Sequence, residues 1–121
     1  VSALGWIAVG LLGGIAAAAR FALDAEVTVR WPSRFPLGIL LVNLSGALAL
    51  GIAAAAGLHG EAYAILAGGA IGSFTTFSTW ILDSHRLAGA GRADLAWLNI
   101  ALSLLAGFAA VALGHWLGGV L

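Results

Sequence analysis

Gly68-Gly69-Ala70-Ile71-Gly72-Ser73-Phe74-Thr75-Thr76-Phe77-Ser78-Thr79-Trp80 places three glycines and five hydroxyl side chains in the middle of an uncharged run covering residues 62–82. A run of this length is long enough to cross a bilayer as a helix. A plain lipid-crossing helix gains nothing from so much glycine and hydroxyl at its centre. A helix interrupted there frees N–H and C=O groups that lipid cannot satisfy, and such breaks persist where they line a cavity or hold an ion. The other reading of the same residues is a small, polar seam for packing against a neighbouring helix.

The pattern extends in both directions. Uncharged stretches also cover 1–19, 35–60 and 95–121. Spans are expected at about 4–23, 37–56, 61–83 and 94–117, within one four-span membrane domain, 1–121. Residues 24–36 read as a polar loop, 57–60 as a turn and 84–92 as a short charged loop. Of the 121 residues, 62% are hydrophobic and 8% charged, against about 25% charged in a soluble domain. A net charge of zero without a basic cluster leaves no footprint for nucleic acid. The absence of cysteine removes thiol chemistry and thiolate metal sites. No charged region precedes the first run, so it reads as a span rather than a secretory signal.

Residues ten and fourteen (both Gly), Ala47/Gly51, Gly68/Gly72 and Gly114/Gly118 put small residues four apart, where helices can approach closely. Trp31, Trp80, Trp97 and Trp116 lie near span ends, as an interfacial belt requires. Arg30, Arg34, Arg86 and Arg92 all fall on one side of a four-span topology, which places both termini outside.

Few residues are available for chemistry. Asn43 is the only amide in the second span; it can donate to an anion or join two helices. Asn99 and Ser103 are four apart and share a face of the fourth span, where packing is the simpler reading. Arg20 is the one charge well inside a span; it either snorkels to the interface or draws anions towards a pore mouth. Asp83 and Arg86 are three apart and can pair at the interface. No Asp, Glu or Lys lies deep in a span, so no group is placed to carry a coupled proton. No nucleophile–base pair or metal-ligand set is present, which argues against an enzyme. What remains is hydroxyls, an amide and aromatic rings, whose edges are weakly positive.

Val42-Asn43 with Ser45-Gly46, then Gly68-Gly69 and the string Phe74 to Trp80 with Asp83, resembles the CrcB/Fluc fluoride channels over essentially the whole chain. The resemblance implies a dimer of oppositely oriented subunits, two fluoride pathways and a sodium ion (Na+) at the dimer centre. It implies that Asn43 is the pore asparagine and that Phe77 is the first aromatic whose ring edge faces fluoride. Trp80 stands at the second aromatic position, Ser78 and Thr79 at the following polar positions, and Ser103 at a pore-lining serine. Asn99 stands where many members have Tyr, and Ile39 replaces a threonine seen in some. Arg20 matches a vestibule arginine, Asp83 a position usually Glu, and Gly72 and Thr75 the helix break whose carbonyls hold sodium.

The expected fold is therefore an all-α membrane protein of four transmembrane helices. The third is broken near the midplane, and the chain is assembled as an antiparallel dimer. The expected partners are fluoride, the lipid bilayer of a bacterial plasma membrane, and either an identical or an oppositely oriented homologous subunit. The expected function is passive fluoride export. The alternative is a small multidrug-type four-span transporter, which needs a deep carboxylate in the first span where only Arg20 is charged. A structural membrane protein without ion flux is the third class, and it has no use for the polar string.

Overall fold

The computed structural model describes residues 1–121 and is entirely helical. Four segments are long and apolar enough to cross a membrane: Ala3–Arg30, Leu37–Ala55, Gly60–Gly89 and Ala93–Gly119. The chain is thus a multi-pass membrane protein. We label the helices α1 (Ala3–Arg30), α2 (Leu37–Ala55), α3 (Gly60–Tyr63), α4 (Gly72–Phe74), α5 (Phe77–Gly89) and α6 (Ala93–Gly119). A π-helical segment, Ala64–Ile71, joins α3 to α4.

The local chemistry accounts for the ends. Ser2 caps α1 by accepting from the Gly5 N–H at 3.0 Å. Trp31 precedes Pro32 and cannot continue the helix, because the proline ring disfavours α geometry in the residue before it. Gly57 at φ 80° and Gly60 at φ 62° make the turn between the second and third spans, a conformation that favours residues without Cβ.

Two expected loops are partly helical. α1 runs on through residues 24–30, where Glu26 pairs with Arg30 at 2.6 Å one turn later and Val27 is buried. The expected loop at 84–92 shrinks to 90–92, because Ser84 and Leu87 turn inward and hold α5 together to Gly89. Charge set the ends of the expected spans, while the helix hydrogen bonds continue beyond those points.

α2 packs most extensively on α6. At this seam, a Cβ on Gly51 would meet the Val111 carbonyl, one on Gly114 the Leu48 carbonyl and one on Gly118 the Ile52 carbonyl. Only hydrogen in place of a side chain allows such an approach. The seam expected from the first-span pair is different. Gly10, Gly14 and Gly68 face open space, and α1 instead meets the third span through Gly13 and Gly69. Spacing of four is common to every face of a helix, so it marks a seam without saying which face carries it.

The third span changes partners midway. Before the break, the π segment and α4 lie on α1; after it, α5 lies on α6. The break therefore lets one span serve both halves of the bundle.

Candidate functional site

At Thr75 and Thr76 the backbone becomes extended, with φ/ψ of −80°/158° and −145°/122°. Thr75 still closes the preceding turn, its N–H and its hydroxyl both donating to the Ile71 carbonyl at 3.0 and 3.1 Å. Thr76 begins the next helix as its N-cap, accepting on Oγ1 from the Thr79 N–H at 3.2 Å. It also donates from Oγ1 to the Thr79 hydroxyl at 3.1 Å.

The N–H of Thr76, which in an unbroken helix would reach the Gly72 carbonyl, instead donates to Asn43 Oδ1 at 2.8 Å. Asn43 Nδ2 donates back to the Thr76 carbonyl at 2.9 Å. One side chain thus serves both backbone groups of the extended residue, which apolar surroundings would otherwise leave without a partner. Gly46, on the next turn of α2, leaves room for the Thr75 methyl; a Cβ there would collide with it. The π segment upstream belongs to a helix class that concentrates at functional sites.

Asn43, Gly72, Thr75, Phe77, Trp80 and Ser103 line a common groove of ≈ 360 Å³, together with Thr76, Gly46 and aliphatic side chains. Phe77 and Trp80 meet edge to face, with ring centroids 5.4 Å apart and planes at 80°. Trp80 is buried, whereas Phe77 is 71% exposed on the single chain.

Behind Trp80 lies a buried polar network. The indole Nε1–H donates to the main-chain carbonyl of Asn99 at 3.2 Å. Asn99 Nδ2 donates to Ser84 Oγ at 2.9 Å, and Ser84 Oγ donates to the Trp80 carbonyl at 3.0 Å. Ser103 Oγ points its donor at Asn99 Oδ1 at 3.4 Å, a long contact.

The structure brings together six of the residues singled out by sequence and separates the rest. Asn99 is 1% exposed and stands behind the groove, not in its lining. Ser78 is exposed, and Thr79 takes part in the cap of α5. Asp83 lies in a second, polar cavity of ≈ 540 Å³ at one end of the bundle, with Asp24, Arg34, Arg86 and Arg92. Asp83 makes no ion pair with Arg86; Arg92 instead pairs with Asp94 at 2.9 Å. Arg20 lines neither cavity, and its Nε is buried without a hydrogen-bond partner. Sequence reasoning did not single out Thr76 or Ser84. A threonine three residues before Thr79 and just ahead of an apolar helix was a usable N-cap signal; Ser84 offered none.

Residues 7–115 match the family described as CrcB-like protein, Camphor Resistance (CrcB). The chain belongs to the CrcB family. Among curated relatives of this CrcB chain, Fluoride-specific ion channel FluC 2 of Mycobacterium bovis is 43% identical over 116 residues, covering 95% of this chain and 91% of the relative. FluC 2 of Symbiobacterium thermophilum is 44% identical over 108 residues, covering 85% and 88% of the two chains. FluC of Hydrogenovibrio crunogenus is 38% identical over 117 residues, covering 93% and 89%. The family is one of ion channels and not of enzymes.

Proposed function

We infer that this CrcB chain is a fluoride-specific ion channel that lets fluoride leave a bacterial cell passively across the plasma membrane. The carrying observation is the whole-length likeness to relatives of that name, 43% identical over 95% of this chain. The site supports the reading chemically. Fluoride is small and strongly hydrated, so a path must replace water's hydrogen bonds without holding the ion too tightly. The groove offers the second Nδ2 hydrogen of Asn43 and the weakly positive edges of Phe77 and Trp80, with no fixed charge in its lining. Ser78 and Thr79 on α5 and Ser103 on α6 add hydroxyls to the path, and Arg20 and Asp83 belong to the approach. A small multidrug transporter is disfavoured because no carboxylate lies deep in the first span.

The working unit in this reading is a dimer of oppositely oriented subunits, either two copies of this chain or this chain with a homologous partner. Phe77, a mid-span aromatic left largely exposed on one chain, is then covered by the second subunit. The Gly72 and Thr75 carbonyls of both subunits hold a structural sodium ion. Their fit rests on the break: the Thr76 N–H is bonded to Asn43, so the Gly72 carbonyl is released from its helical partner. Neutral oxygens suit a hard monovalent cation better than a transition metal. The ion supplies charge that offsets carbonyl dipoles in a dry interior.

The test is fluoride release from liposomes holding the purified protein. Rapid release of trapped fluoride, with little chloride release and no need for a pH gradient, is expected. Equal chloride release, or strict dependence on a proton gradient, overturns the reading.

A further inference from the structure

Gly46 is buried in the middle of α2, one turn from Asn43 and on the same face. Glycine inside a helix is destabilising relative to alanine, so its use there calls for a contact that a side chain would forbid. That contact is with Thr75. A Cβ on Gly46 would overlap the Thr75 Cγ2 methyl, while the next atoms, Phe74 Cδ2 and Thr75 Cβ, stand at an ordinary 3.7 Å. The notch in α2 is cut for one methyl group.

Both branches of the Thr75 side chain are committed. Its hydroxyl donates to the Ile71 carbonyl at 3.1 Å, and its methyl fills the notch. The two hang from one Cβ, so χ1 cannot turn the methyl away without taking the hydroxyl off Ile71. Serine would leave the notch empty, and valine would set a methyl against the Ile71 carbonyl. Thr75 is also where the backbone leaves the helix, and no backbone N–H donates to its own carbonyl. The side chain supplies the hold on that carbonyl which the helix no longer gives.

On the reading that the Gly72 and Thr75 carbonyls hold sodium, we propose that Gly46 is a positioning residue for that ion: its missing side chain receives the Thr75 methyl and so sets where the Thr75 carbonyl lies. An alanine methyl at 46 forces χ1 of Thr75 to rotate off Ile71, or the Thr75 backbone to retreat from α2 by about 1 Å, the step from overlap to van der Waals contact. Metal–ligand distances are held to about 0.2 Å, so either route loosens or misplaces the ligand. Asn43 and Gly46 act together here. One receives the Thr76 backbone and the other the Thr75 methyl, and α2 is the template on which the break is set.

Gly46→Ala tests it, alone and combined with Thr75→Ser, which removes the methyl and keeps the hydroxyl. Melting temperatures in detergent are followed as sodium replaces N-methylglucamine at constant ionic strength. The native chain should show a rise that saturates with sodium. Gly46→Ala should need at least about fivefold more sodium for half of its rise. Adding Thr75→Ser should bring that requirement back to within about twofold of Thr75→Ser alone, because the colliding group is gone. An unchanged half-saturating sodium concentration in Gly46→Ala, with the melting temperature lowered equally in both salts, overturns the proposal, since that is packing strain without effect on the ion. Failure of Thr75→Ser to restore the requirement also overturns it, because the methyl is then not what collides. If Gly46→Ala does not assemble, the double variant decides: assembly with the sodium requirement of Thr75→Ser supports the role, and failure to assemble overturns it. A native chain indifferent to sodium defeats the sodium reading and the role of Gly46 with it, whereas a native response beside an unaffected Gly46→Ala defeats only the role of Gly46.

Discussion

Asn43 on α2 and Thr76 at the break of the third span are joined by two hydrogen bonds, 2.9 and 2.8 Å, across 33 residues of chain. The amide of Asn43 thereby imitates a neighbouring β-strand for one extended residue. Without it the break would leave a donor and an acceptor unsatisfied in apolar surroundings. Replacing Asn43 by Leu should therefore destabilise the fold by about 2–6 kcal/mol, at about 1–3 kcal/mol for each buried group left unpaired. Unfolding in detergent measures the loss, and hydrogen exchange at the Thr76 amide localises it. A stability equal to that of the native chain would show that the break does not depend on Asn43.

Phe77→Ile should stop fluoride release nearly completely while leaving the fold intact. Phe77 is 71% exposed on the chain, so its intramolecular packing is limited to contacts such as the edge-to-face one with Trp80. Isoleucine keeps apolar bulk and removes the ring edge. Release from liposomes, beside an unchanged gel-filtration profile, checks both halves of the expectation.

Gly114→Ala should weaken the bundle, and Gly89→Ala should not. A methyl at Gly114 would run into the Leu48 carbonyl, a backbone atom that cannot rotate aside, whereas one at Gly89 meets nothing within 4 Å. Overpacking of this kind costs about 1–3 kcal/mol. Melting temperatures of the two variants in detergent should separate clearly, with Gly89→Ala at the native value.

The four spans were legible because they are a matter of composition; the interruption of the third was one of two readings of its composition, chosen by the family resemblance. Absent charge fixes where lipid can be, while glycine with hydroxyls suits either a helix that gives way or a close packing seam. Who satisfies the broken backbone was not legible. Asn43 and Thr76 lie on different spans, and no spacing rule links residues 33 apart. Asn99 was readable as polar but not as buried behind Trp80, because the face a residue takes depends on how two helices turn towards each other. The same ambiguity hid Gly13 and Gly69 behind the more regular pair at 10 and 14. Arg20 shows a further limit: sequence places its charge within a span, yet only the packing reveals a buried Nε without a partner.

Exchanging sodium for a large organic cation such as N-methylglucamine should lower both the stability of the assembled protein and its fluoride release. The Thr76 N–H is bonded to Asn43 and so cannot serve the Gly72 carbonyl. Thr75 behaves differently: its N–H and hydroxyl stay with Ile71, while its extended backbone turns its own carbonyl out of the helical direction. Two carbonyls are thereby detached from the helix within one turn, and their dipoles in a dry interior favour a cation. No carboxylate lies in the groove lining to supply charge, so the oxygens are neutral and the preference should be for a monovalent ion. N-methylglucamine is too large to enter such a site. Melting curves and release rates in sodium, potassium and N-methylglucamine salts of matched ionic strength measure the effect. The expected order places sodium first in both readings, and identical curves in all three salts would sink the sodium assignment while leaving the fluoride path untouched.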